Sequence, residues 1–171
     1  MKAKIITKEI MEYFYEKDGL LYWKETVAKC AKKDCVVGNL CKSHGYYVVE
    51  IKGSSYLQHR ILYQIYHNII LEPNDVIDHI DRNKTNNKKE NLRKAPQYQN
   101  CMNRKTNKNN KSTGFKNISI KKDANSYRLK IRANNVMYVE YFNINEYTLQ
   151  EVIEIRNKKL LELHGTFACY D

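Results

Sequence analysis

DVIDHIDRNKTNNKKENL, from Asp75 to Leu92, sets an imidazole among carboxylates and follows it with a run rich in Asn and Lys. Val76 and Ile77 can form a short strand or loop that delivers Asp78 and His79. On a strand these neighbours diverge to opposite faces. Hydrolysis of a phosphodiester needs an activated water, charge neutralisation at phosphorus and help for the departing oxygen. A histidine can take the water's proton at neutral pH, and a hard cation on oxygen ligands can stabilise the leaving group. Asp78 therefore reads as a metal ligand and His79 as a base. A second helix is expected from about Asn87 or Lys88, carrying Leu92 inward and continuing, after a break at Pro96, toward Asn100. Asn91 and Asn100 on that segment can each accept an imidazole N–H or ligate a cation. A plainer reading stays open, in which Asn91 holds a loop and His79 is an ordinary surface residue.

Upstream, Ile6 to Lys17 has the spacing of a helix capped by Thr7. Gly19 to Trp23 reads as a strand after an Asp-Gly turn. Tyr46–Ile51 and Ser55–Gln58 read as a hairpin around Gly53, feeding a helix from His59 to Asn68 with Ile61, Leu62, Ile65 and Tyr66 inward. His59 and Arg60 open that helix, where substrate phosphate could approach. His44, His67 and His164 have weaker claims.

The chain has 171 residues, with 30 Lys and Arg against 19 Asp and Glu, giving a net charge of +11 that points to an anionic partner. Eleven of those cations lie between Arg82 and Lys116, where Glu90 is the one acid, so a phosphate backbone can lie along this stretch. Arg93, Arg104, Lys105 and Lys116 are its candidate contacts. Residues 106–113 read as a basic, Asn-rich linker between residues 1–105 and 114–171; a solvated tether is the alternative. No apolar run is long enough for a transmembrane helix, and the first residues lack a secretory pattern. A cytoplasmic chain with reduced thiols is expected. Cys30, Cys35 and Cys41 are spaced unlike paired zinc ligands, and only His44 offers itself as a fourth.

Past the linker, Phe115–Ile120, Ser126–Arg132 and Met137–Phe142 read as three strands, and Thr148–Leu163 as a helix. Tyr127, Leu129 and Ile131 alternate with Arg128, Lys130 and Arg132, giving one packing face and one cationic face. A three-stranded antiparallel sheet on one helix follows, making the whole chain α+β.

The run from Gln58-His59-Arg60, through Val76-Ile77-Asp78-His79-Ile80-Asp81, to Glu90-Asn91-Leu92-Arg93 and Gln99-Asn100 resembles an HNH endonuclease of the phage and intron-homing type. Asp78-His79 is similar to the pair closing the first strand of the ββα-metal motif, and Asn91-Leu92-Arg93 to an element on its helix. The segments DGLLYWKE and GYYVVEIKGSSYLQHR resemble the region preceding that motif. STGFKNISIKKDANSYRLKIRANNV, with the helix and LHGTFA after it, resembles an AP2-type DNA-binding domain. Departures from the resemblance are Tyr127, where many relatives carry Trp, and Asn134-Asn135, where Asn-Gly is common.

The resemblance implies that Asp78 and Asn100 bind one Mg²⁺ or Mn²⁺, that His79 is the general base, and that Asn91 orients it. His59 and Arg60 would support the site or touch phosphate, while Asp81 and Asn83 shape the loop. Arg128, Lys130 and Arg132 would contact double-stranded DNA. One-metal cleavage would leave a 5′ phosphate and a 3′ hydroxyl. One centre in a monomer, expected because no coiled-coil seam is visible, would nick. The alternatives are a DNA-binding or regulatory protein derived from such a nuclease, and, more weakly, an RNase.

Overall fold

Asp18 and Gly19 both have positive φ, 53° and 79°, as a two-residue type I′ turn requires. They join β1 (Phe14–Lys17) to β2 (Leu20–Trp23) in an antiparallel pair. The computed structural model describes residues 4–96 and 112–170. The chain divides into two compact units, Met1–Gln97 and Tyr98–Asp171.

In the first unit the helix expected over 6–17 is only α1, Lys8–Glu12. Strand pairing overrides the helical spacing. Phe14 and Trp23 are both buried, with ring centroids 4.9 Å apart, and the Asp-Gly turn fixes the register that brings them together. β3 (Asn39–Leu40), β4 (Tyr47–Ile51) and β5 (Ser54–Leu57) form a second antiparallel sheet. Its hairpin turns at Lys52-Gly53, again with two positive φ values. The chain then enters α2, Gln58–His67, which ends at Asn68 in the left-handed conformation. Ile61 and Leu62 are fully buried against Ile6, Phe14, Leu21, Val49 and Leu71.

The same helix also buries polar groups, several of them hydrogen-bonded, while Arg60 Nε is buried without a partner among the described residues. Gln64 donates to the Ile6 carbonyl (3.0 Å) and accepts from the Leu71 amide (3.1 Å), tying both flanking segments to α2. β6 (Val76–His79) pairs antiparallel with β7 (Leu92–Ala95). Here the expected second helix gives way to a 3₁₀ turn, Lys89–Asn91, and a strand. The amides that a helix would use internally go to β6 instead, a long-range pairing invisible in local spacing. The expected continuation toward Asn100 lies outside the described residues.

The second unit has a three-stranded antiparallel sheet of β8 (Ile118–Lys121), β9 (Ser126–Ala133) and β10 (Val136–Asn143), with β9 central. Asn134 and Asn135, φ 48° and 64°, make its second turn. Helix α3, Leu149–His164, starts at a capping box in which Thr148 and Glu151 satisfy each other's backbone amides. Leu129, Ile131, Val152, Ile153 and Leu160 form the core. Arg156, 1 % exposed, sits in it with its charge answered by the carbonyls of Lys116 (3.1 Å) and Tyr170 (3.0 Å). No described helix is long and apolar enough to cross a membrane.

Candidate active site

β6 ends on Asp78 and His79, whose side chains leave opposite faces of a two-stranded ribbon and are both buried. Asp78 lies opposite Arg93 in the register, and its Oδ2 accepts from Arg93 Nε (3.0 Å) and Nη2 (2.8 Å). Arg93 is thereby committed to a carboxylate within its own hairpin. On the other face, the ring centroids of His79 and His59 lie 5.1 Å apart and nearly perpendicular. Tyr46 completes the cluster at 4.9 Å from His59 and 5.9 Å from His79. Lys84 reaches over Tyr46 at 4.6 Å and donates to the His44 carbonyl.

Burial pushes His59 down to about 3, with the charges of His79, Arg60 and His44 adding to the effect. Burial also holds His79 below the ordinary imidazole value, although its bond to Asn87 and the carboxylates of Asp81 and Asp78 oppose this. Both rings are therefore neutral at pH 7. A neutral imidazole at the end of a strand can accept a proton, which is the first requirement of a general base.

The loop after His79 is held by side chains rather than by regular structure. Burial alone would raise Asp81, but bonds from Asn86 Nδ2 (2.8 Å), the Asn83 amide (2.8 Å) and Asn91 Nδ2 (2.8 Å) keep it below its ordinary value. Asn91 Oδ1 in turn accepts from the Asp81 amide (2.9 Å), and Asn91 Nδ2 also reaches the Asn86 carbonyl (2.7 Å). The oxygen at His79 Nε2 is Asn87 Oδ1, 2.9 Å away.

The structure thus gathers His79, His59 and Asn91 in one region, with Asp78 on the reverse of the ribbon. Arg60 departs from its expected place at a phosphate. It is 5 % exposed and donates to the carbonyls of Glu72 (2.9 Å) and Asp75, clamping the turn before β6. Asn100, Arg104 and Lys105 lie outside the described residues. Sequence reasoning missed Tyr46, Gln58 and Asn87. Nothing local distinguishes Asn87 from Asn86, and Gln58 looks like any polar residue at a helix start.

Among the described residues no three His, Cys, Asp or Glu side chains gather as a metal-binding group. Cys30, Cys35, Cys41 and Cys169 are free thiols. Asp78 nevertheless offers the hard oxygen that Mg²⁺ prefers, buried at the end of a rigid strand. That carboxylate is already paired with Arg93 (2.8 Å), so a divalent cation held here would share it with the guanidinium or displace it.

In the second unit, Lys130 and Arg132 are exposed on β9 and Arg128 is half-buried. The pairing places Tyr141 opposite Arg128, Val139 opposite Lys130 and Met137 opposite Arg132. All three β10 residues are exposed. The outward face is half cationic and half apolar, rather than wholly cationic.

The ribbon thus carries a buried histidine on one face and a buried carboxylate on the other. The chain is 37% identical, over 64% of its length, to a protein named as an HNH endonuclease in Acanthamoeba polyphaga mimivirus, and spans 54% of that relative. It is also 37% identical to Protein 3.8 of Escherichia phage T7 over 92 residues, covering 72% of that protein. The chain belongs to the family of Protein 3.8. No family model and no solved structure matches it.

Proposed function

We propose that the first unit is a metal-dependent DNA endonuclease of the HNH type, and that the second unit helps hold the duplex. The observation that carries this reading is His79, buried, neutral and fixed at a strand end beside Asp78; the similarity to an HNH endonuclease supports it. His79 takes the proton of the attacking water. His59 and Tyr46 pack against its ring, with centroids 5.1 and 5.9 Å away. Asn91 acts on the loop, holding Asp81 so that the chain turns sharply after His79. Asp78 and Asn100 would hold the Mg²⁺, with Mn²⁺ as a substitute, which when bound supplies charge neutralisation at the phosphate and the leaving oxygen. The products are a 5′ phosphate and a 3′ hydroxyl, and a monomer nicks one strand. Arg128, Lys130, Arg132 and Lys116 contact duplex DNA.

The test is incubation with supercoiled plasmid in Mg²⁺, scoring nicked against linear product and mapping the ends. His79→Ala should lose cleavage by ~100-fold or more while binding duplex within a few-fold. Cleavage by that variant at the wild-type rate sinks the base assignment. Tight binding without any cutting by the wild type favours a DNA-binding derivative of the family, a reading consistent with Arg93 already neutralising Asp78.

A further inference from the structure

His79 Nε2 is the end of a buried chain of amides that starts at the backbone of residue 37. Gln58 Nε2 donates to the Val37 carbonyl (2.5 Å), Asn87 Nδ2 donates to Gln58 Oε1 (2.8 Å), and Asn87 Oδ1 faces His79 Nε2 (2.9 Å). Gln58 is 1 % exposed, Asn87 2 % and His79 4 %, so water cannot easily substitute for any link. Direction is fixed from the far end. A backbone carbonyl can only accept, so Gln58 must present its NH₂ to Val37 and its oxygen to Asn87. Asn87 must then donate to Gln58, which leaves its oxygen toward the imidazole. Two acceptors cannot share a hydrogen bond, so Nε2 carries the proton and the lone pair of the neutral ring is on Nδ1.

We propose that Gln58 and Asn87 are positioning residues that set the tautomer of His79, making Nδ1 the atom that accepts the proton from water. The assignment of a catalytic use rests on the nuclease reading above; the tautomer itself does not. Gly38 belongs to the same device. Its φ is +104°, and a Cβ there would stand 3.2 Å from Gln58 Nε2 and 3.3 Å from the Val48 carbonyl. A side chain at position 38 would press on the first amide of the chain, so the absence of one keeps the relay in register. The Tyr66 hydroxyl lies 3.1 Å from the Asn87 carbonyl at the middle link and 3.2 Å from Glu16 Oε1, so its one proton serves both acceptors.

The relay predicts what breaking it does. In Gln58→Met the Asn87 amide loses the partner that fixes its orientation. It can then turn its NH₂ toward Nε2, which demands the opposite tautomer and puts a proton on Nδ1. Long-range ¹H–¹⁵N spectra of the wild-type imidazoles, with His79 identified by its loss in His79→Gln, should show Nε2 protonated and Nδ1 unprotonated at pH 7.5. Gln58→Met and Asn87→Leu should show a mixture of tautomers, with kcat reduced ~10-fold or more and KM for DNA little changed. A wild-type ring carrying its proton on Nδ1 overturns the relay, and this measurement stands even if neither variant folds. Folded variants with the wild-type tautomer and wild-type kcat overturn it as well. The expected tautomer in a protein that cuts no DNA upholds the relay and removes the nuclease reading instead.

Discussion

His59 makes the first unit vulnerable to acid. Its native value lies at about 3, whereas an exposed imidazole in the unfolded chain titrates near 6.5. Above that value neither state binds the proton, so stability is unaffected. As pH falls from 6.5 toward 3 the unfolded state binds a proton that the native state refuses, and stability declines by up to ~1.4 kcal/mol per pH unit. Denaturant midpoints at pH 7.5, 5.5 and 4.5 should fall in that order, and His59→Gln should flatten the trend. Arg93 poses a different problem at the same ribbon. Its removal in Arg93→Ala takes from the buried Asp78 carboxylate the guanidinium that donates twice to Oδ2, at a cost of about 3 kcal/mol. If Asp78 binds a cation, Mg²⁺ should raise the melting temperature of this variant more than that of the wild type. Equal shifts would remove Asp78 from the ligand set. The sequence made Asp78 and His79 legible because a carboxylate-imidazole pair after two apolar residues is chemically unusual. It hid the use of Arg93 and Arg60, since a guanidinium meant for phosphate and one meant for a carbonyl or carboxylate look alike in one dimension.

Among the elements, hairpins were easier to read than helices. Asp18-Gly19 and Lys52-Gly53 announce type I′ turns through their glycines, and the strands on either side follow from alternation. α1 was overestimated because Tyr13 and Phe14 fall at helical spacing while their packing belongs to a strand. β7 was unreadable for the opposite reason: Leu92 to Ala95 becomes a strand only because Val76 to His79 lies beside it. The third hairpin turn, Asn134-Asn135, carries a Cβ at both left-handed positions. Asn135→Gly should therefore stabilise the second unit by about 0.5–1 kcal/mol. Calorimetry showing an unchanged or lower melting temperature for that unit would mean that the Asn135 side chain contributes more than its backbone strain costs.

For the whole molecule, the excess of Lys and Arg is shared by both units, so duplex binding should depend strongly on salt. Charge-neutral replacements of Arg128, Lys130 and Arg132 together should reduce the slope of log affinity against log salt by about 2 to 3. A slope that stays the same would move DNA away from the outward face of the sheet. The apolar strip of Met137, Val139 and Tyr141 beside those cations was not foreseen, because only the register of β9 against β10 sets the two rows side by side. Arg156 has its own consequence at this scale. Its two bonds to the chain at residues 116 and 170 end on carbonyl oxygens, which every amino acid supplies. The fold therefore demands arginine at position 156 and leaves the side chains at those two anchor points to be chosen by other demands. Across an evolving lineage, position 156 should stay fixed while residue 116 drifts with whatever the protein is selected to bind.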